Sequence, residues 1–315
     1  MEKTNSAEDI QKLVSILNAA YPTRVFSMRT HRDWIGHVYF VESTDGPYVL
    51  KLYRPFHTKQ ALHSTHIIQY LTAQGYPVPP IVCTSSGESN IEVDMPDGRS
   101  VAILYQYIQG EEPDPETDLK QIAEQTGILH RLMATYPGML DRHGKEYYID
   151  RYITLLSRIG FPDNKLSDLT HYGDELWDRF DQSAWGFCHG DLHCGNMLMD
   201  NGGNCWLFDF DAACRSHPAA DISTMIDSTD YFQFHPEDFE KTTRRLGLFL
   251  PSYQKTCPVA IEDHDIQSIY DFIAIRHFDI QATISECQGY SLHHLENQHS
   301  WLMRWRDLCE QRLKL

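Results

Sequence analysis

One stretch of the chain concentrates the residue types that handle phosphate. It reads Phe187-Cys188-His189-Gly190-Asp191-Leu192-His193-Cys194-Gly195-Asn196-Met197-Leu198-Met199, then Cys205-Trp206-Leu207-Phe208-Asp209-Phe210-Asp211. The apolar runs Met197–Met199 and Cys205–Phe208 read as two short buried strands, joined by the turn Asp200-Asn201-Gly202-Gly203-Asn204. Such a hairpin holds Asn196 just before one strand and Asp209 at the end of the other. Both side chains offer hard oxygen ligands of the kind that suit Mg²⁺ bridging phosphate oxygens. Asp191 lies five residues before Asn196 in a loop with two glycines. There it can accept the proton of a substrate hydroxyl while Asn196 holds a metal ion. Phosphoryl transfer needs this division of labour: positioning, charge neutralisation and one carboxylate to orient the nucleophile.

The rest of the chain must position these groups. Ile10, Leu13, Val14, Leu17 and Tyr21 fall on one face of a helix over residues 8–21. The period then shortens to that of strands at 25–29, 37–42 and 48–53, the last two joined as a hairpin by Thr44-Asp45-Gly46-Pro47. A helix over about 57–74 ends near Gly75, before Pro77, Pro79 and Pro80. Strands are expected at 80–84, 91–95 and 101–107, and residues 30–36 form a loop with one glycine, Gly36. Past the acidic stretch 111–118, Asp118 and Gln121 resemble a capping box opening a long helix through Met133. Further helices are expected over 146–182 and from about 236. The pattern predicts an α+β chain: an antiparallel-sheet lobe over 1–107 and a mostly helical lobe over 108–315 that carries the catalytic loop and metal site.

Composition narrows the partners. The 315 residues carry 27 Lys+Arg against 44 Asp+Glu, a formal net charge of −17. Such a surface disfavours nucleic acid and anionic membranes and favours cationic ligands. No signal-peptide pattern opens the chain, no apolar run approaches a membrane span, and the eight cysteines form no C-x-x-C pair. A reducing cytoplasm is the expected compartment. His189 and His193 have an H-x-x-x-H zinc spacing, but the glycines around them read as loop and no third ligand is indicated, so a scaffold role for the catalytic loop is the better reading. Cys194 reads as a reactive thiol or, more commonly, a buried one.

The spacing H-x-D-x-x-x-x-N matches the protein-kinase catalytic loop, with Asp-Phe-Asp in place of Asp-Phe-Gly. The string H-G-D-x-H-x-x-N, then D-F-D, then Asp221 in Pro218-Ala-Ala-Asp221, resembles the aminoglycoside phosphotransferase and choline kinase-like family. Tyr48-Val-Leu-Lys51-Leu-Tyr, Gly75-Tyr-Pro-Val-Pro79, Leu104-Tyr-Gln-Tyr-Ile-Gln-Gly110 and Gly127-Ile-Leu-His130 resemble further segments of it. The resemblance implies a bilobal protein-kinase-like fold with its site between the lobes. It implies ATP and Mg²⁺ as cofactors, Asp191 as catalytic base, and Asn196 and Asp209 as metal ligands. It also implies Lys51 on the α/β-phosphates, Tyr105, Gln106, Tyr107 and Ile108 at the adenine hinge, and His189, His193, Asp211 and Asp221 in support.

The acceptor it implies is a small-molecule hydroxyl, cationic if Glu111, Glu112, Asp114 and Glu116 meet it. Leu50–Pro55 is also similar to bacterial stress-response Ser/Thr kinases, and homoserine kinase-like and spore-coat kinase-like members share the fold, so a protein acceptor is the alternative. A third reading is a weakly active nucleotide-binding pseudokinase. It draws on one departure: residues 43–87 contain no glutamate to pair with Lys51, and the inserted helix carries Gln60, His63, Ser64 and His66 instead. Phosphate contacts from the 30–36 loop could come from backbone N–H groups, His31 or Arg32.

Overall fold

A computed structural model describes residues 7–33, 36–95, 98–181, 185–257 and 263–313. The chain opens with helix α1 (Ala7–Ala20), then strands β1 (Val25–Asp33), β2 (His37–Ser43) and β3 (Gly46–Tyr53). Helix α2 (Thr58–Ala73) follows a short 3₁₀ turn, and strands β4 (Ile91–Met95) and β5 (Gly98–Gln106) complete an antiparallel sheet of order β1-β2-β3-β5-β4. Alternation along β3 sends Leu50 and Leu52 into a core with Leu13, Leu17, Tyr39, Val41 and Leu104. Lys51 therefore falls on the opposite face of a central strand, not on an exposed edge.

The helical part contains α3 (Leu119–Met133), a π-helical turn Glu146–Asp150, α4 (Arg151–Arg158) and α5 (Asp163–Phe180). Strand β6 (Gly186–Cys188) leads into the loop that carries His189 and Asp191. Strands β7 (Met197–Met199) and β8 (Cys205–Leu207) form the expected hairpin. Strand β9 (Cys214–Ser216) pairs with β6, and α6 (Ala219–Ile226), α7 (Glu237–Thr256), α8 (Asp263–Gln288) and α9 (Leu292–Leu313) follow. The protein is thus an α+β chain with a protein-kinase-like fold.

Two compact units divide the described residues. The first runs to Glu112 and takes back Gly195–Ala212; the second holds Pro113–Cys194 and the residues from Ala213 onward. A single division at 107/108 follows chain order, whereas the β7–β8 hairpin groups with the sheet. Backbone bonds explain this. Glu111 N–H donates to Met199 O at 3.0 Å, Met199 N–H to Glu111 O at 2.8 Å, and Leu207 N–H to Pro77 O at 3.0 Å. The crossing requires Gly110, because a Cβ there would lie 2.6 Å from Met199 O.

Three local expectations differ from the structure. The 80–84 segment makes only a bridge of Ile81 to Tyr105, since the prolines before it supply no N–H to a longer ladder. The 30–36 loop is largely strand: β1 reaches Asp33, and His31 packs on Phe40 at 4.5 Å between ring centres. Trp34 and Ile35 lie outside the described residues, as do Pro96 and Asp97. Asp118 makes no side-chain cap on α3. Its Oδ2 accepts instead from Asp114 N–H at 2.9 Å, which folds the acidic loop back on itself.

Candidate active site

In the first unit the site is built around Lys51. Its Nζ donates to Asp209 Oδ1 at 2.8 Å and to Asp211 Oδ2 at 2.6 Å. Tyr53, two residues on and hence on the same strand face, donates its hydroxyl to Asp211 Oδ1 at 2.9 Å. Its ring centre lies 4.8 Å from the ammonium. Tyr105, across from Val49 on β5, hydrogen-bonds through its hydroxyl to Tyr53. Burial works against the lysine's charge, but the two carboxylates outweigh it and raise the ammonium's pKa above its ordinary value.

The carboxylates that pair with Lys51 are those of Asp209 and Asp211. Gln60 and His66 are exposed and Ser64 is buried. The cation is held by both acids of the Asp-Phe-Asp motif, the second standing where a kinase has glycine. The lysine is thus anchored without the helix glutamate whose absence the pseudokinase reading drew on.

Asn196 and Asp209 flank one end of the hairpin in sequence. Phe208 N–H donates to Asn196 O at 3.1 Å, which ties the two flanking residues together. Asn196 is buried and Asp209 about a third exposed. Asp209 has φ of 66°, the only positive φ of a non-glycine among the described residues. Such a backbone costs about 1–3 kcal/mol and persists where its surroundings impose it. The same residue's carboxylate pairs with Lys51 at 2.8 Å. Among the described residues no three His, Cys, Asp or Glu side chains gather as a metal cage. A carboxylate and an amide oxygen with room for outside ligands fit a divalent ion that completes its shell from phosphate and water.

The segment expected at the adenine hinge is graded along the strand. Tyr105 is buried, Gln106 gives its N–H to Pro80 O at 2.9 Å, and Tyr107 is exposed with its ring 5.9 Å from Phe40. Tyr107 and Ile108 thus follow the end of β5.

In the second unit the loop after β6 is fixed from beneath by α6. Asp221 accepts from His189 N–H at 2.7 Å and from Gly190 N–H at 3.0 Å, with His130 Nε2 2.9 Å from its Oδ2. Tyr253 OH lies 2.8 Å from His130 Nδ1. Burial pushes Asp221 upward, but the hydrogen bond and charge of His130 outweigh it, and the carboxyl sits below its ordinary pKa. This chain from α7 through α3 to α6 needs Gly127, whose added Cβ would meet Tyr253 O at 2.7 Å.

His189 is fully buried, its Nδ1 3.4 Å from Asp191 N–H. His193 Nε2 stands 3.5 Å from Asp191 Oδ2. Asp191 itself, its side chain 40% exposed, accepts from Arg276 Nη2 at 2.8 Å. Arg276, on α8, was not anticipated. Its only sequence signal is a lone cation inside the apolar run Phe272-Ile273-Ala274-Ile275-Arg276-His277-Phe278. Of the acids expected to attract a cationic acceptor, Glu116 pairs with Arg245 at 2.7 Å, and Asp114 accepts from Glu116 N–H.

The phosphotransferase enzyme family matches residues 28–269, well over half of the chain, and the chain belongs to this family. It is a phosphotransferase acting on a hydroxyl group. A homoserine kinase from Methylobacillus flagellatus is 24% identical over 230 residues, 72% of this chain and 69% of that protein. Among solved structures, an amicoumacin kinase with AMP-PNP, Ca²⁺ and Ami aligns with a TM-score of 0.76 at 20% identity, over 95% of this chain and 93% of the other. A microcompartment-associated aminopropanol kinase aligns at 0.72 and 16% identity, over 96% and 98%.

Proposed function

We propose that this protein transfers the γ-phosphoryl group of ATP, as its Mg²⁺ complex, to a hydroxyl of a small molecule in the cytoplasm. The observation that carries the reading is the bracketing of Lys51 by Asp209 and Asp211. It is a phosphate-directed cation beside a carboxylate suited to a divalent ion, on a fold of this family.

Bound Mg²⁺ supplies neutralisation of phosphate charge, and Asn196 and Asp209 are the residues to hold it. Lys51 exchanges part of its carboxylate contact for phosphate oxygens. Tyr107 and Ile108, past the last ladder bond of β5, offer backbone groups to the base. Asp191 orients the acceptor hydroxyl and takes its proton. Its carboxyl is held well below the usual range: burial opposes this, and the His193 and Arg276 contacts prevail. It therefore accepts the proton only once bonding to phosphorus is advanced, as a loose transition state allows.

Homoserine, amicoumacin and aminopropanol in the relatives' names are small molecules, which favours a small acceptor over a protein. The test is MgATP-dependent ADP release against amino alcohols, aminoglycosides, sugars, homoserine and a generic protein. Release stimulated by a small acceptor and abolished in Asp191→Asn is the expected result. Label transferred only to protein overturns the small-molecule reading, and turnover that survives Asp191→Asn overturns the role of that residue.

A further inference from the structure

We propose that Arg276 is the positioning residue for Asp191: from α8, its guanidinium holds the carboxylate in one orientation while leaving the side chain accessible to an acceptor. This rests on the reading of Asp191 as the group that orients the acceptor hydroxyl. Asp191 sits on a loop, where its own rotamer freedom would blur the geometry that proton acceptance requires. Arg276 sits in the middle of a 26-residue helix, between Phe272–Ile275 and Phe278, all buried. It is 15% exposed, whereas Asp191 is 40% exposed. A cation this buried needs an acid within hydrogen-bond reach, and Asp191 Oδ1 at 2.8 Å provides it. Arg276 Nε is buried with no hydrogen-bond partner. The guanidinium is held by this ion pair together with a hydrogen bond to Tyr231.

The surroundings give the pair an electrostatic role. Around Asp191 stand His193 from its own loop and Arg276 and Asp279 from α8. Around Arg276 stand Tyr231, Asp279 and Asp227. Burial and Asp279 both disfavour ionisation of Asp191; His193 and Arg276 favour it. The His193 contact, at 3.5 Å, is long for a hydrogen bond, so Arg276 makes the firm one. Without Arg276 only His193 is left to oppose burial and Asp279, and the carboxyl's pKa moves up.

The experiment follows the Asp191 carboxyl directly and needs no acceptor. The γ-carbon resonance of Asp191 is assigned in aspartate-labelled protein by its loss in Asp191→Asn. It is then titrated in wild type, Arg276→Gln and Arg276→Lys, each checked for folding by thermal melt. In parallel, MgATP hydrolysis is measured with water as acceptor. The expected result is an Asp191 titration at least one pH unit higher in Arg276→Gln than in wild type. Its kcat falls tenfold or more, with KM for MgATP within twofold. Arg276→Lys keeps the charge and loses the planar fork, so its titration stays near wild type while kcat falls by a smaller factor.

If Arg276→Gln does not fold, the lysine variant decides, and wild-type kcat there overturns the proposal. A folded Arg276→Gln with wild-type titration and kcat also overturns it, leaving Arg276 a brace of α8. Should Asp191→Asn itself hydrolyse MgATP at the wild-type rate, the functional reading fails instead.

Discussion

The two units hold their key carboxylates by opposite means. In the first, Asp209 and Asp211 face a lysine whose contacts can be traded for phosphate and metal. In the second, Asp191 faces a nearly buried arginine, and Asp221 is tied to two backbone amides and an imidazole. A lysine is a point charge on a flexible stem, while a guanidinium is a rigid fork. The contrast separates a site built to exchange partners from one built to hold still. It accords with the proposal that nucleotide and metal bind the first and that the second accepts the proton.

The largest break in that contrast comes from its two acids. A metal ion contributes several kcal/mol to the transition state. Asp209→Asn is therefore expected to lower kcat/KM by about 10³-fold or more in steady-state assays at saturating Mg²⁺. Asp191→Asn removes a general base, a loss of about 10²- to 10⁴-fold, and its effect falls on kcat.

Next is the brace under the His189–Gly190 loop. His130→Ala leaves buried Asp221 short of a partner, at a cost of about 3 kcal/mol in urea-unfolding stability. Asp221's lowered carboxyl contributes stability above the unfolded value near pH 4, lost as pH falls through its folded pKa. The wild-type advantage over His130→Ala narrows in that acidic range. No such narrowing would mean that His130 does not set the Asp221 ionisation.

Asp279 gives a smaller effect of the opposite sign. Burial pushes its carboxyl up to about 6, despite the cations of Arg151 and Arg276. Its contribution to stability is complete below about pH 4, the unfolded value, and is lost as pH rises through 6. In Asp279→Asn that slope disappears from a melting-temperature profile between pH 4 and 7. The smallest change is Glu116→Gln. Its contact with Arg245 is half-exposed on the glutamate side, worth less than about 1 kcal/mol. An unchanged KM for a cationic acceptor in that variant is expected, because Glu116 already has its cation.

Legibility in the sequence followed distance along the chain. Asp191, Asn196 and Asp209 lie within one short segment whose spacing is itself the geometry, and β3 presents Lys51 by simple alternation. The anchor of Lys51 was half legible: the missing helix glutamate could be counted, but the substitute, Asp211, stands 160 residues away. Arg276 is 85 residues from Asp191, and nothing in a local pattern pairs them. Elsewhere tertiary context overrode local signals. Prolines at 79 and 80 cut the expected strand to a bridge, and the Asp118 carboxylate turned to the loop before it rather than to the helix after it. The positive φ of Asp209 has no local sequence signature: aspartate is enriched in that region, yet few aspartates adopt it.

The central claim is the separation of nucleotide and metal binding from acceptor activation. Calorimetric titration of MgATP into Asp191→Asn and Asp209→Asn tests it most directly. The account predicts a dissociation constant within threefold of wild type for Asp191→Asn and at least tenfold weaker for Asp209→Asn. Equal weakening in both variants would contradict it.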